Sequence, residues 1–306
     1  MLARTVQLCL LFGSRTAQTL LRMALAPLIV YICEEPEMTC AASTKGSLLS
    51  AFSLGYILTQ VVGGALADRL GPATVIMLAM ATSGMLMVAS GSAGSVERLW
   101  LLQVAMGAAQ GPLFPTSVSY LARWLPADER AFGSSFLDAG ITAGSLVALP
   151  FSGRLAALFG WRATLRLWGA CALVFSAVWH ILACADPAQC RSMSREEREH
   201  LKRAIPPVAT SHDKTGRPAA FHLLSKQPLG AIFVAHMAFN FGVYFINSWM
   251  PTYYQDVLST RPDEAVLAFA IPPLLNLLVK VRANFSCQPD APPSDFRLLL
   301  LWETSP

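Results

Sequence analysis

Long apolar runs separated by short polar stretches dominate the pattern of the chain. A helix needs about 20 predominantly apolar residues to cross a membrane. The pattern therefore predicts seven membrane helices and a weaker eighth, at residues 13–32, 47–67, 73–90, 99–121, 132–151, 164–183, 229–251 and 265–281. The eighth run is the weakest because it is short and contains Pro272 and Pro273.

Composition agrees with this pattern. The 306 residues are 54% hydrophobic and 14% charged, and the mean hydropathy is +0.47. Soluble domains carry about 25% charged residues, so this chain has too few to cover a soluble surface. We predict an all-α polytopic membrane protein whose first partner is the lipid bilayer. The net charge of +4 and the lack of an aromatic-rich basic cluster argue against a nucleic-acid partner.

The chemistry-bearing residues do not indicate an enzyme. The seven cysteines are irregularly spaced and form no CxxC pair, so we predict neither a zinc site nor a disulfide framework. The sequence has no P-loop, no HExxH, no G-x-S-x-G and no glycine-rich nucleotide motif. We expect no metal and no cofactor.

Basic residues in the loops predict the sidedness. The segments after the second, fourth and sixth runs are basic, and the segment after the first run contains Glu34, Glu35 and Glu37. The positive-inside rule then places these even loops and the N-terminus in the cytoplasm. Three arginines near the turn between the fifth and sixth runs oppose this assignment: Arg154, Arg162 and Arg166. The pattern does not identify the membrane, which is that of an organelle or the cell.

The N-terminal stretch and the longest polar segment each allow a separate prediction. MLARTVQLCLLFG, at residues 1–13, is either a flank of the first helix or a targeting segment. The longest polar segment, 186–227, contains SREEREHLKRAIPP, which predicts a short helix capped by Ser194 and stopped by Pro206 and Pro207. We expect that helix to be a solvated linker.

Two stretches of the sequence are similar to each other, which indicates an internal repeat. GALADRLGPAT at 64–74 and GRLAALFGWRAT at 153–164 share the pattern G-x-L-A-x-x-x-G, closing the second and fifth runs. Many secondary transporters consist of three-helix units repeated with inverted topology. This similarity supports that architecture.

The charge pair in GGALADRLG, residues 63–71, lies at the end of the second run. We expect the helix to end here in a tight turn at Gly71, with Gly63 and Gly64 packed against a neighbour and Asp68 paired with a base or a helix N-terminus. The stretch resembles the G-x-L-A-D-R-x-G signature of the major facilitator superfamily. The resemblance implies a conformational gate at Gly64, Asp68, Arg69 and Gly71, although Pro72 and Ala73 stand where a basic residue is common.

Further stretches resemble the anion:cation symporter branch of that family, which includes plant phosphate and ascorbate transporters. They are GYILTQVVGGALADRLG at 55–71, RWLPADER at 123–130, AGSLVALPFSGRLAALFGWR at 143–162 and NSWMPTYYQDVL at 247–258. The resemblance implies a major facilitator fold: an N-terminal six-helix bundle plus one or two helices of the second half. We divide the chain into a six-helix bundle, a cytoplasmic central loop, a partial second bundle and an atypical tail, at residues 1–184, 185–228, 229–281 and 282–306.

Polar residues inside the runs are the candidate substrate pathway. A charge at mid-membrane costs about 2.5–3.5 kcal/mol on insertion scales, so Arg22 must face a cavity or a partner. The resemblance implies that Arg22 attracts an anion. Where the branch has R-x-x-x-G-x-x-E-G, this chain has Gln103 and Gln110, amides that could bond a substrate or each other. Gln does not titrate, so we expect that coupling differs from that of proton-linked members or is absent.

The remaining candidates lie on the second, fifth and seventh runs. His236 and Asn240, four residues apart and so on one helix face, resemble the H-x-x-x-N of plant members. Tyr56 and Gln60 are similar cavity candidates. We expect Asp138 to form a structural pair with Arg130 or Arg123.

Two functional hypotheses follow. The first is a secondary transporter of small organic or inorganic anions, of the phosphate or carboxylate class, that works by alternating access with Na+ or H+ as a coupling cation. The second is a non-transporting membrane protein that associates with a full-length partner, because the family pattern fades after Leu258 and the chain resembles a truncated product.

Overall fold

The computed structural model describes residues 3–38, 40–187, 190, 193–204 and 227–286. Within these ranges the fold is helical and contains no strand. The helices are α1 (Ala3–Met23), α2 (Leu25–Ile32), α3 (Ala42–Leu70), α4 (Pro72–Ser90), α5 (Val96–Gln110), α6 (Leu113–Trp124), α7 (Arg130–Phe159), α8 (Trp161–Leu182), α9 (Arg195–Ala204), α10 (Gln227–Asp256) and α11 (Val266–Ser286).

Every predicted apolar run coincides with a helix or a helix pair. Four helices are long and apolar enough to cross a membrane by themselves: Ala42–Leu70, Pro72–Ser90, Arg130–Phe159 and Trp161–Leu182. The helix of the eighth apolar run, α11, extends beyond that run to Ser286, and it includes Pro272 and Pro273.

The largest boundary error lies in the first helix, which begins at Ala3 and not near residue 13. Hydropathy missed its first half because α1 carries polar side chains on the face that packs inside the bundle. Gln7 and Gln18 are buried there together with Leu8 and Leu11. Residues 3–13 are therefore part of the first helix of the bundle.

Prolines divide two of the spans. Pro27 has no N–H to donate to the carbonyl of Met23, and the helix is interrupted at Ala24 between α1 and α2. Pro112 likewise leaves the carbonyl of Ala108 without its helical donor, between α5 and α6. The hydroxyl of Thr59 on α3 donates to that carbonyl at 2.8 Å, so a neighbouring helix satisfies the break.

Contacts between loops confirm the predicted alternation of sides. At one end, Arg4 pairs with Glu129 at 2.8 Å, and Gln7 donates to the carbonyl of Leu182 at 3.0 Å. This is the central-loop end, where the N-terminus meets the loops after the fourth and sixth spans. At the opposite end, Arg162 pairs with Glu35 and donates to the carbonyl of Ala93 at 3.4 Å. Glu35 therefore neutralises Arg162, one of the three arginines that opposed the sidedness predicted by the positive-inside rule.

The inverted repeat is visible in the backbone. Gly71 and Gly160 each end one helix and begin the next, each with φ of 81°. Their N–H groups donate to the carbonyls of Ala67 and Ala156, at 3.0 and 2.8 Å, and these alanines are matched positions of the two similar stretches. Gly71 lies at the central-loop end and Gly160 at the opposite end, as inverted units require.

The helix of the central loop is docked, contrary to the expected solvated linker. Ser194 caps it as predicted, accepting the N–H of Glu197 at 3.2 Å. The Glu197 carboxylate accepts the N–H groups of Ala3 and Arg4 at 3.3 and 3.0 Å, and Leu201 is buried. The first N–H groups of a helix have no partner within it, and an acid there also complements the helix dipole, which explains the docking.

A disulfide joins Cys33 to Cys40, a bridge that the sequence analysis, which predicted no disulfide framework, did not identify. The turn after α2 and the 3-10 turn Pro36–Met38 bring the two Cα atoms to 5.2 Å. A rule based on cysteine patterns over the whole chain cannot detect one local bridge. The end of the bundle that contains Cys33, Ala93 and Arg162 is called the disulfide end below.

Candidate functional site

An aromatic cage surrounds the guanidinium of Arg22. Its Cζ lies 4.1 Å from the ring centroid of Tyr244, 5.0 Å from that of Phe52 and 5.6 Å from that of Tyr56. The three rings come from α3 and α10, so the cage joins the first bundle to a helix of the second half. Aromatic faces attract cations, most strongly where water is excluded. Among the described residues no carboxylate forms an ion pair with Arg22.

Close packing of α3 against α5 sets the position of two of these rings. A side chain at Gly107 would collide with the backbone of Phe52, and one at Gly111 would meet the backbone of Tyr56 and Gln60. Small residues four apart let helix backbones approach in this way. The α3 turn that carries Phe52 and Tyr56 is thereby fixed against α5, with both rings near Arg22 of α1.

Gln103 and Gln110 lie on the buried face of α5, exposed by 1% and 0%. In the part of the chain that the structure describes, both amide atoms of Gln110 and the Nε2 of Gln103 lack a hydrogen-bond partner, so the amides do not bond each other as the sequence allowed. Seven residues separate them by about 10 Å along the helix, which is too far. A buried polar group without a partner costs about 1–3 kcal/mol, which favours a role in binding over simple packing.

The other predicted pathway residues are less closely connected to the cage. Gln60 is half-buried one turn from Tyr56 on α3. His236 is exposed on α10, and the Asn240 amide donates to the carbonyl of His236 at 2.8 Å within the same helix. Neither contacts Arg22, but Tyr244 of the cage follows Asn240 by one turn. The sequence analysis missed Tyr244. The spacing could have indicated it, because Tyr244 continues the four-residue interval between His236 and Asn240 on the same helix face.

Arg15 is a second cation that the sequence analysis missed. It is 6% exposed, donates to Oε1 of Gln18, and lies 5.3 Å from the ring centroid of Phe114. The predicted first span began at residue 13, only two residues before Arg15, so its position gave no reason to single it out. Since α1 starts at Ala3, Arg15 lies about 18 Å along the helix and inside the membrane.

Asp138 does not pair with Arg130 or Arg123, which corrects the expected pair. Arg130 donates to the carbonyls of Leu125 and Ala122, both at 3.3 Å. Two helical turns, about 12 Å, separate Asp138 from Arg130. The main-chain carbonyl of Asp138 instead accepts a hydrogen bond from Lys280 at 3.4 Å.

The predicted gate motif is only partly engaged. Gly71 makes the expected tight turn, and Gly63 packs against Pro112. A Cβ at Gly64 would meet no atom within 4 Å, so the close packing predicted for this glycine is wrong. Asp68 and Arg69 are exposed and form no ion pair in the described part of the chain, contrary to the expectation for Asp68.

Polar contacts close the disulfide end between the two halves. Tyr31 donates to Asp263 at 2.7 Å, and Arg261 pairs with Glu34 at 3.3 Å. Lys45 pairs with Asp256 at 3.6 Å. These partners lie more than two hundred residues apart in sequence, so no local pattern indicated them. Hydrogen bonds from Arg162 and Trp161 lower the pKa of Glu35 in the same region, with the Arg162 bond the larger cause.

The arrangement is suited to binding and not to covalent chemistry. It offers phenol groups, amides and two guanidinium groups, those of Arg15 and Arg22, that form no ion pair with a described carboxylate. No group of three or more metal-ligating side chains occurs within the described ranges. A groove of about 310 Å³ lined by Thr59, Leu78 and Pro112 lies elsewhere and is almost entirely apolar, so it is not the site of this chemistry.

The profile of the Major Facilitator Superfamily matches residues 8–284. "Probable anion transporter 4, chloroplastic" of Oryza sativa subsp. japonica is 29% identical over 77% of this chain and 40% of its own length. "Ascorbate transporter, chloroplastic" and "Sodium-dependent phosphate transport protein 1, chloroplastic", both of Arabidopsis thaliana, are 28% and 29% identical over 77% and 75% of this chain, and over 43% and 44% of their own lengths. The chain thus spans less than half the length of these relatives.

Solved structures agree on the fold. A bacterial homologue of the human lysosomal transporter Spinster has a TM-score of 0.67 at 20% identity, covering 88% of this chain and 59% of that one. A proton:xylose symporter has a TM-score of 0.69 at 16% identity, covering 94% and 70%. The chain is therefore an integral multi-pass membrane protein of the Major Facilitator Superfamily, and its relatives are consistent with the anion:cation symporter branch of that family.

Proposed function

We propose that the protein is a secondary transporter that carries a small anion by alternating access, with Arg22 as the principal substrate contact. The observation that carries this proposal is the aromatic cage of Arg22. A half-buried guanidinium inside the membrane lies where α1, α3 and α10 meet, with three rings around it and no ion-pair partner among the described residues. Its charge is available to an anion, which would offset the cost of burying it.

The relatives indicate the class of anion to test first. They carry names of ascorbate and phosphate transporters, so phosphate and carboxylate-class anions are the starting panel. Tyr56 and Tyr244 could add hydroxyl donors beside Arg22, and Gln103 and Gln110 supply amide groups on α5. Such mixed donors suit an oxyanion.

The disulfide-end contacts supply a gate. Alternating access requires the halves to separate first at one end and then at the other. The pairs Tyr31–Asp263 and Arg261–Glu34 hold the halves together at the disulfide end, and both lie outside the cage. They would break when the site opens there.

Coupling would not use a proton at residue 110, because Gln110 has no titratable group. A sodium gradient is the alternative, since one relative is named as sodium-dependent. In liposomes, we expect an imposed sodium gradient to drive uptake and a pH gradient alone to fail. Uptake driven by the pH gradient alone would overturn this part of the proposal.

The test of transport is uptake of labelled phosphate and ascorbate by the purified protein in liposomes. Arg22→Gln should lower the apparent affinity by about tenfold or more, the scale of a charge-assisted hydrogen bond, and Arg22→Lys should restore part of it. Arg203→Gln is the matched control, since Arg203 is exposed on α9 and pairs only with Glu199 in the described chain. No uptake of any anion by the folded protein would refute the proposal.

A further inference from the structure

Arg15 and Arg22 lie on one face of α1, seven residues and therefore two helical turns apart. The helix rise separates their Cα atoms by about 10 Å. Arg22 faces rings of α3 and α10, and Arg15 lies over the ring of Phe114 on α6. The two guanidinium groups therefore project from the same side of α1 toward neighbouring helices.

The partners of Arg15 leave its charge uncompensated. Gln18 accepts one of its hydrogen bonds, and the ring of Phe114 lies beneath it, but both groups are neutral. No carboxylate in the described chain lies within ion-pair distance of Arg15. A buried cation of this kind is expensive unless an anion joins it.

The surroundings increase this excess of positive charge. Lys280 on α11 donates to the Thr142 hydroxyl at 3.2 Å and to the carbonyl of Asp138 at 3.4 Å. Arg15, Arg22 and Lys280 thus place three cationic side chains on this side of the bundle, where the exposed Asp138 is the one carboxylate that we identify among the described residues. One negative charge on a substrate would not balance them, whereas two would.

We infer that Arg15 is a second anchor of the substrate site and that it selects solutes carrying two negative charges over those carrying one. This inference rests on the proposed anion transport and deepens it. The two charges can belong to one compact group, as in divalent phosphate, or to the two ends of a dicarboxylate. Arg22 binds either class, and Arg15 adds affinity only for the second charge.

Matched pairs of inhibitors test this selection in liposome uptake. Sulfate and methanesulfonate form the compact pair, and succinate and its monoamide form the extended pair. Each pair keeps its shape and differs by one charge. In the parent protein, we expect the dianion of one pair to inhibit about tenfold more strongly than its monoanion. The pair that shows this preference identifies compact or extended dianions as the substrates.

Four variants distinguish the effect of charge from an effect on folding. Arg15→Gln should reduce the dianion preference by about tenfold, and Arg15→Lys should retain most of it. Gln18→Glu gives Arg15 a carboxylate at its existing hydrogen-bond partner, so it should abolish the preference even if Arg15→Gln does not fold. Arg22→Gln, in contrast, should weaken the dianion and the monoanion together.

The outcomes distinguish this inference from the proposed function. If the parent transports anions but shows no dianion preference in either pair, the inference is wrong and the transport proposal stands. The same holds if Gln18→Glu leaves the preference intact. If the folded parent transports no anion at all, the proposed function fails first.

Discussion

The hydroxyl of Tyr31 donates a 2.7 Å hydrogen bond to Asp263, and the two residues belong to different halves of the fold. Tyr31 ends the first span, and Asp263 lies in the loop between α10 and α11. Arg261 extends the contact, because it lies 3.7 Å from Asp263 and 3.3 Å from Glu34. The disulfide end is therefore closed by a small polar network that lies beside an apolar cluster containing Leu149 and Phe269.

Because the polar network is small, a single mutation in it should shift the equilibrium between the closed and open disulfide end. Tyr31→Phe removes one hydroxyl and keeps the ring, so we expect it to favour opening at the disulfide end. The reporter is Thr252→Cys on α10, a position that is 5% exposed in the closed arrangement. Its labelling by a membrane-impermeant maleimide should accelerate severalfold in a background that retains only Cys33 and Cys40.

The matched control for this experiment is Tyr253→Phe, which changes an exposed tyrosine on the same helix. It should leave the labelling rate unchanged. Equal rates in the parent and in Tyr31→Phe would mean that the Tyr31–Asp263 bond does not hold this end closed.

The disulfide should stabilise the same end. Cys33–Cys40 closes a loop with a sequence separation of seven, and that loop carries Glu34 and Glu35. Removing a bridge over so short a loop costs about 2–3 kcal/mol in the chain-entropy account. We expect Cys33→Ser with Cys40→Ser to lower the Tm of the protein in detergent. Reductant should lower the Tm of the parent similarly and leave the double variant unchanged, and a Tm insensitive to both would contradict the expected contribution.

The hydropathy pattern was sufficient to predict where most of the membrane spans lie, and loop charges predicted which loops share a side. It worked because a helix in lipid must be apolar over a fixed length, and this constraint is local in sequence. It failed at α1, where the inward-facing polar residues include Arg15. A helix that lines a polar interior is less apolar than its neighbours, and that was the warning signal.

The candidate site could be predicted only in part. Arg22 and Tyr56 were identified from the cost of buried charge and from a family resemblance, and the structure brings them together. Tyr244, Arg15 and the network around Asp263 were missed. Their contacts depend on how distant helices pack, which is not written in the spacing of any one segment.

The ion pair between Glu35 and Arg162 should make stability depend on pH. Hydrogen bonds from Arg162 and Trp161 lower the pKa of Glu35 in the folded protein. A lowered carboxyl pKa contributes stability above the unfolded value, about 4.3, and that contribution is lost as pH falls through the folded pKa. Arg162→Gln should therefore lower the Tm between pH 5 and 8.

The difference between the parent and Arg162→Gln should shrink below about pH 4, as Glu35 becomes protonated. Both partners are partly exposed, so we expect the effect to be no larger than about 1 kcal/mol. Glu35→Gln should show the same reduced Tm at neutral pH and little further loss in acid. A Tm difference that grew as pH fell would contradict this assignment.

The two turn glycines of the inverted repeat should be equally intolerant of a side chain. Gly71 and Gly160 share φ of 81°, and a Cβ at either position would meet no atom within 4 Å. Their ψ values of 141° and 155° lie outside the left-handed helical region, in a part of backbone space where residues other than glycine are rare. The cost of Gly→Ala therefore comes from the backbone alone, about 1–3 kcal/mol at each position. Gly64→Ala is the control, because Gly64 is helical and equally free of neighbours, so alanine there should be neutral or slightly stabilising. Thermal unfolding in detergent measures all three variants, and a Gly64→Ala loss as large as the others would show that space, and not φ, sets the cost.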